Sequence, residues 1–422
     1  MIGKEKDMIK RFYVENFSSI KERIDVSFEA SKMEDDTYYN NVFKFKDFDI
    51  LKVSAFYGMN ASGKSRIIMA LAAIKELVIP LQVGPRTPYY PFKFDEKKIN
   101  APIDVGIEFS LHNNEDSPIY RYSVSYNNRI IIKERLEKLI TQKPSLLFER
   151  TTANDGATMI KLGATVQGNL LLQEITKTIV PDRTFLSMFN QFKIEDFYDA
   201  YSFFLNNVIN ISPVVTRFDD VVPNRIIEDE KLKDFTIRLL KAADFNITDL
   251  YVGKAAVRNL PLIAGIKAER DALFLTHKGD GPGGSLEFID ESLGTKKIVV
   301  LAAHLYAALS RPSVLIVDEL ETSLHPELTK LIVKCFLDET INPFNSQLIF
   351  TSHETTLLNL NLLRRDQINF VYKDEKTCGT YIRSLKDFHV RKTDSVEKAY
   401  IAGRYLTSPE VREQLLERET DA

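Results

Sequence analysis

Tyr57-Gly58-Met59-Asn60-Ala61-Ser62-Gly63-Lys64-Ser65 lies between the apolar run Ile50–Phe56 and the Ile-, Ala- and Leu-rich segment Arg66–Val78. The run reads as a buried strand and the segment as a helix, so the quoted residues form a glycine-containing turn between the two. The spacing fits GxxxxGK[ST] at Gly58, Gly63, Lys64 and Ser65, in the strand–turn–helix context that a phosphate-binding loop requires. Glycines let the backbone curl until successive N–H groups, here those of Asn60, Ala61, Ser62 and Gly63, converge on an anion. The following helix adds its positive end. Lys64 has the reach for β- and γ-phosphates, and the Ser65 hydroxyl suits Mg²⁺. ATP and Mg²⁺ are therefore the expected ligands.

A second constellation stands more than two hundred residues later. Ser313-Val314-Leu315-Ile316-Val317-Asp318-Glu319 is an apolar strand that ends in two adjacent carboxylates. Asp318 is placed to hold Mg²⁺, and Glu319 to orient and polarise an attacking water. Without a phosphate loop in the same chain, the pair would read as a solvated acidic turn. Gln347–Phe350 is the next short buried strand, and Thr351-Ser352-His353 follows it. His353 at a strand end can reach a γ-phosphate or the lytic water. Lys64, Glu319 and His353 are the candidate catalytic residues, with Ser65 and Asp318 as candidate metal ligands.

Composition is that of an ordinary globular chain: 44% hydrophobic, 27% charged and net −3 over 422 residues. That balance does not advertise nucleic-acid binding, although net charge hides local patches. Cys335 and Cys378 lack metal-ligand spacing, cannot make a disulfide framework and read as packing residues. Met1–Lys10 is charged with no apolar stretch, and no apolar run approaches the roughly 20 residues that span a bilayer. The expectation is a cytoplasmic protein without membrane segments.

Along the chain, Met8–Phe17 and Ile24–Phe28 read as strands, and residues 31–49 as a loop. Residues 80–100 read as a proline-rich loop leading to an edge strand, its aromatics Tyr89, Tyr90, Phe92 and Phe94 packing between lobes. Ile103–Leu111, Ile119–Tyr126 and Arg129–Leu136 form an antiparallel meander, extended by Leu146–Thr151 and Met159–Leu162. Apolar spacing then moves toward 3.6, predicting helices at Gln173–Val180, Ile194–Asn207 and Asp229–Ala243. This divides the chain into a first lobe at 1–168, a helical insert at 169–250 and a second lobe at 251–422. In the second lobe, Leu250–Val257 and Ala272–His277 read as strands, and Lys296–Leu309 and Glu327–Leu337 as helices. A hairpin over 368–385 and helices at Val396–Tyr405 and Pro409–Arg418 complete the reading.

The order of motifs resembles an ABC-type ATPase head of the SMC and RecF branch: α/β, a mixed sheet with an antiparallel flank, interrupted by a helical insert. Ser292-Leu293-Gly294-Thr295 resembles the signature motif, Ser323-Leu324-His325-Pro326 the D-loop and His353 the switch histidine. Tyr57–Ser65, Glu291–Thr295, Asp318–Pro326, Leu363–Ile368, Ser384–Phe388 and Tyr400–Tyr405 more closely resemble AAA-annotated prokaryotic ATPases related to the OLD proteins, among them subunits of anti-phage systems such as PARIS. The signature departs from the Ser-Gly-Gly-Gln of transporters, and neither Gln82 nor Gln142 has the context of a Q-loop glutamine.

The resemblance implies that Ser292 and Gly294 of one copy cap the nucleotide held by another, giving at least a head-to-head dimer. It also implies ATP hydrolysis coupled to a separate effector, a nuclease or toxin, released by a nucleic-acid or phage-protein trigger. The alternative is a RecF-like repair ATPase that binds DNA directly. The tail after His353 has no Asp-x-Asp of the Toprim kind, so the effector is expected on another polypeptide.

Overall fold

The computed structural model describes residues 7–32, 40–45, 47–80, 87–111, 118–139, 143–211, 225–226, 228–243, 246–256, 269–278 and 284–405. Its centre is a six-stranded sheet in the order Val208–Ile211, Val314–Val317, Gln347–Ser352, Val53–Tyr57, Ile368–Lys373, Thr380–Ser384. The first five strands run parallel and the last is antiparallel. Side chains alternate across a strand, and here both faces are covered. Phe56, Val314, Ile316 and Ile349 enter one core, while Val53, Ala55, Tyr57, Leu315, Val317, Leu348 and Phe350 enter the other. Two buried faces explain why these strands read as continuous apolar runs.

The first core lies between this sheet and a seven-stranded antiparallel sheet running from Thr158–Leu162 at one edge to Ile24–Ser27 at the other. The helix Lys64–Val78 fills it with Ile67, Ile68, Leu71 and Ile74. The second core is capped by the helices Glu230–Ala242, Leu293–Leu309 and Pro326–Leu337. Burying an Ile, Leu or Phe side chain stabilises by about 1.5–3 kcal/mol, so two apolar layers dominate over any ion pair. Polar ties set the register between layers. Gln347 is fully buried; its Oε1 accepts from Ile9 N at 3.0 Å, and its Nε2 donates to Ile9 O and Leu51 O, each at 3.1 Å. A smaller sheet, Ile247–Ala256, Glu269–His277 and Ser285–Glu287, leads into the signature segment.

Several expectations change. The run Ile50–Phe56 is two strands: Asp49–Leu51 pairs with Val42–Lys44, and Val53–Tyr57 joins the central sheet. Lys52 marks the break, where its N–H turns to Asn41 O. Ile103–Ser110 is an interior strand between Met8–Glu15 and Ile119–Tyr126, not an edge. The stretch 169–250 contains helices at Leu170–Thr176, Glu195–Ser202 and Glu230–Ala242, but also the strand Val208–Ile211, which pairs with Val314–Val317 in the central sheet. Four residues are too few to show a period against the helices on either side, which is why the strand was not apparent in the sequence. Pro409–Arg418, Gln82 and Gln142 lie outside the described residues.

Candidate functional site

The carboxyl ends of parallel strands leave a crevice where helices diverge to opposite faces, the place where α/β sheets hold ligands. Tyr57, Val317 and Ser352 end their strands there. The loop after Tyr57 turns through two left-handed residues, Ala61 at φ 62° and Gly63 at φ 107°, before the helix starts at Lys64. Gly58 and Gly63 are fixed by close approach. A Cβ on Gly58 would lie 2.2 Å from Val371 O, and one on Gly63 would lie 2.1 Å from Thr380 Oγ1. Lys64 Nζ donates to Gly58 O at 2.7 Å and Met59 O at 2.9 Å, folded over its own loop. Burial pushes its pKa down to about 8, against the upward pull of Glu319, Glu321 and Asp318. Ser62 Oγ is buried without a hydrogen-bond partner, an orphan that an anion-binding loop tolerates.

The acidic pair is held by Thr351, a fully buried residue whose role the sequence did not disclose. Its hydroxyl donates to Asp318 Oδ1 at 2.6 Å and accepts from Glu319 N–H at 2.7 Å; its carbonyl accepts from Leu320 N–H at 3.1 Å. Glu319 sits at φ 51°, a left-handed conformation uncommon for a non-glycine residue and typical of functional turns. Glu321 joins the two halves of this end of the sheet: its Oε1 accepts from His353 N–H at 2.6 Å, and its Oε2 is buried without a partner. The His353 imidazole is pushed below its usual pKa by desolvation and the Lys64 ammonium, opposed by Glu321, Glu319 and Asp318. The shift favours the uncharged imidazole.

These elements enclose a cleft of about 670 Å³. Asn60, Ala61, Gly63, Lys64, Ser65, Glu319 and His353 line it; Gly58, Ser62 and Asp318 are not among its lining residues. The cleft's remaining wall changes the reading of the aromatic cluster. Phe92 is fully buried, as packing requires, but Tyr90 is 51% and Phe94 73% exposed, and both line the cleft. Their loop is built rather than loose. Buried Asn16 reaches Lys98 O, Ala101 O and Pro102 O through Nδ2 and accepts from Phe92 N–H. The signal in the sequence was the position of this loop just past the phosphate-loop helix, not its composition.

The donor set fits Mg²⁺. A Ser65 hydroxyl and an Asp318 carboxylate supply the one or two hard oxygens that Mg²⁺ takes from protein when phosphates complete its shell. No cluster of three acidic, histidine or cysteine ligands occurs among the described residues.

Ser292 and Gly294 are not among the residues lining this cleft. Ser292 is the N-cap of Leu293–Leu309, its Oγ accepting from Thr295 N–H at 3.1 Å. Leu293 is 66% exposed, with Ile289 and Leu286 exposed nearby. The Lys297 ammonium donates to Thr322 O, tying this helix to the turn after Glu319.

A family described as "AAA domain, putative AbiEii toxin, Type IV TA system" matches residues 53–359. The chain belongs to this family. By this family it is an AAA domain. Comparison with curated proteins finds no match. Among solved structures, the chain is similar to an SMC head bound to the C-winged helix domain of ScpA, at 13% identity over 89% of this chain and 97% of that one, TM-score 0.41. It is also similar to the SMC head domain from Thermotoga maritima, at 15% identity over 89% and 98%, TM-score 0.39. A third is the Smc head with coiled coil and joint from Pyrococcus yayanosii, at 10% identity over 93% and 99%, TM-score 0.43. No described helix is long and apolar enough to cross a membrane.

Proposed function

We propose that this ATPase-family domain binds ATP with Mg²⁺ in the cleft and hydrolyses it. The observation that carries the reading is convergence: Lys64, Ser65, Glu319 and His353, from three separate strand ends, face one space of nucleotide size. The loop N–H groups and Lys64 bind the β- and γ-phosphates, with Lys64 leaving Gly58 O and Met59 O to do so. Ser65 and Asp318 would hold Mg²⁺, which would neutralise charge on the phosphates. Glu319, kept in place by Thr351, orients the attacking water and takes its proton, and His353 hydrogen-bonds at the γ-phosphate or the lytic water. The exposed faces of Tyr90 and Phe94 give the base an apolar surface.

A second copy completes the site in this reading. Exposed Ser292 and Leu293 and the helix N-terminus behind them are turned outward, and the positive end of a helix is suited to a phosphate held by a partner. The assembly would be isologous, with two nucleotides between two heads. The defence role, in which nucleotide state gates a separate effector, is carried over from the motif resemblance; the matching family is described as "putative AbiEii toxin, Type IV TA system". A nucleic acid or a phage protein is the trigger in this scheme, and the cytoplasm its setting. The test is ATP turnover by purified protein, with native mass measured with and without ATP. Turnover and a doubled mass with ATP are expected. Turnover undiminished in Glu319→Gln would sink the mechanism.

A further inference from the structure

The Ser62–Gly63 peptide is constrained from outside its own loop. Thr380, which opens the strand Thr380–Ser384, is 1% exposed. Its Oγ1 lies 2.9 Å from Ser62 O and 2.8 Å from Ser19 Oγ, and its N–H donates to Ser19 O at 2.8 Å. A carbonyl only accepts, so the Thr380 hydroxyl is the donor to Ser62 O, with Ser19 Oγ a second acceptor within its reach. The trans peptide is planar, with its C=O and N–H opposed. Holding Ser62 C=O against the hairpin Ile368–Ser384 therefore turns Gly63 N–H away from it, toward the side where the loop closes around an anion. Gly63 is at φ 107° and has no Cβ to restrain it, and a Cβ would collide with Thr380 Oγ1. The residue that must be glycine for close approach is thus the one whose peptide most needs an external restraint.

We propose that Thr380 is a positioning residue for the phosphate-binding loop: its hydroxyl fixes the Ser62–Gly63 peptide so that Gly63 N–H faces the phosphates of a bound nucleotide. Thr380 itself does not line the cleft. Ser19, which does, links the same hydroxyl to the turn after the first strand. The inference rests on the nucleotide-binding reading above.

The test is equilibrium binding of ATP and of pyrophosphate to the wild type, Lys64→Ala, Thr380→Val, Thr380→Ala and Thr380→Ser, with the unfolding midpoint of each free protein. Thr380→Val keeps the shape and removes the hydroxyl's contacts to Ser62 O and Ser19 Oγ, so both ligands should bind about tenfold more weakly. Thr380→Ala and Thr380→Ser both lack the methyl and differ only in the hydroxyl. This pair keeps the test informative if Thr380→Val does not fold. Serine should restore affinity to within about twofold of wild type, and alanine should not. Wild-type affinity in folded Thr380→Val or Thr380→Ala overturns the proposal, as does equal weakening in Ala and Ser. Absence of ATP binding by the wild type, or full binding by Lys64→Ala, would instead overturn the nucleotide reading, so the two failures are told apart.

Discussion

The helix Lys64–Val78 begins inside a packed loop, whereas Leu293–Leu309 begins at the surface. Both N-termini offer backbone N–H groups to an anion, and both are preceded or entered by a serine and a glycine. At the first, the environment leaves no room. Gly63 abuts Thr380 and Ser19, Gly58 abuts Val371, and Lys64 is buried. At the second, a Cβ on Gly294 would meet nothing nearer than Ser323 O at 3.5 Å, an ordinary contact, and the neighbouring Leu293 is exposed. The first glycine is required by its own chain. The second is not, so a requirement for it has to come from something that approaches from outside. One N-terminus is finished by folding, and in the proposal above the other would be finished by a second copy.

The largest expected effect tests whether the finished half holds the chemistry. Glu319→Gln should keep ATP binding and lower turnover by about 10²–10⁴-fold, the usual range for a general base, while accumulating the ATP-bound assembly. Single-turnover hydrolysis beside equilibrium binding separates the two. Next, the two glycines should respond oppositely. Gly63→Ala forces a side chain into a left-handed residue against a buried threonine. It should destabilise the free protein by about 1–3 kcal/mol and abolish binding, read by the unfolding midpoint and ATP titration. Gly294→Ala should leave monomeric ATP binding unchanged and the midpoint unchanged or slightly raised, yet lower turnover on the order of a hundredfold, because the added methyl holds a partner's phosphate off the helix N–H groups, with the cost of losing a donor aimed at developing charge. A Gly294→Ala protein with normal turnover would break the comparison, because the open terminus would then have no part in the reaction.

How far the sequence disclosed these features follows from the same contrast. Tyr57–Ser65 and Val314–Glu319 were legible because each carries its chemistry in consecutive residues, flanked by strands buried on both faces. Thr351, Glu321 and Thr380 were not. Each acts through a partner distant in sequence, 32 residues from Glu319 to Thr351 and 318 from Ser62 to Thr380, and no local spacing encodes such a pair. The strand Val208–Ile211 was hidden for a related reason: its neighbour in the sheet is Val314–Val317, and the evidence for it lies in that ladder, not in its four residues. The aromatics Tyr90 and Phe94 were only half legible: Tyr90 packs edge-on against Phe17 and Phe94 against Phe92, as read, but composition does not show that both rings also face the cleft.

The smallest expected effect belongs wholly to the closed terminus. Lys64 in the free protein has its pKa lowered to about 8, chiefly by burial. Below that pH the side chain is an ammonium; above it the neutral amine prevails. Phosphates favour the ammonium, so nucleotide binding takes up a proton as pH rises past 8, and affinity falls with it. Between pH 7 and pH 9 the loss should approach about tenfold, with little slope from Lys64 below pH 7, where it is already charged. ATP dissociation constants at three pH values, with proton uptake from calorimetry in two buffers, check both sign and size. Lys64→Arg should remove the slope, because a guanidinium stays charged throughout. Since the cause is burial within one chain, Gly294→Ala should show the same slope as wild type. A slope that vanished with Gly294→Ala would mean that the cradle is completed by the second copy too, and that the two helix termini are less different than their packing in one chain makes them.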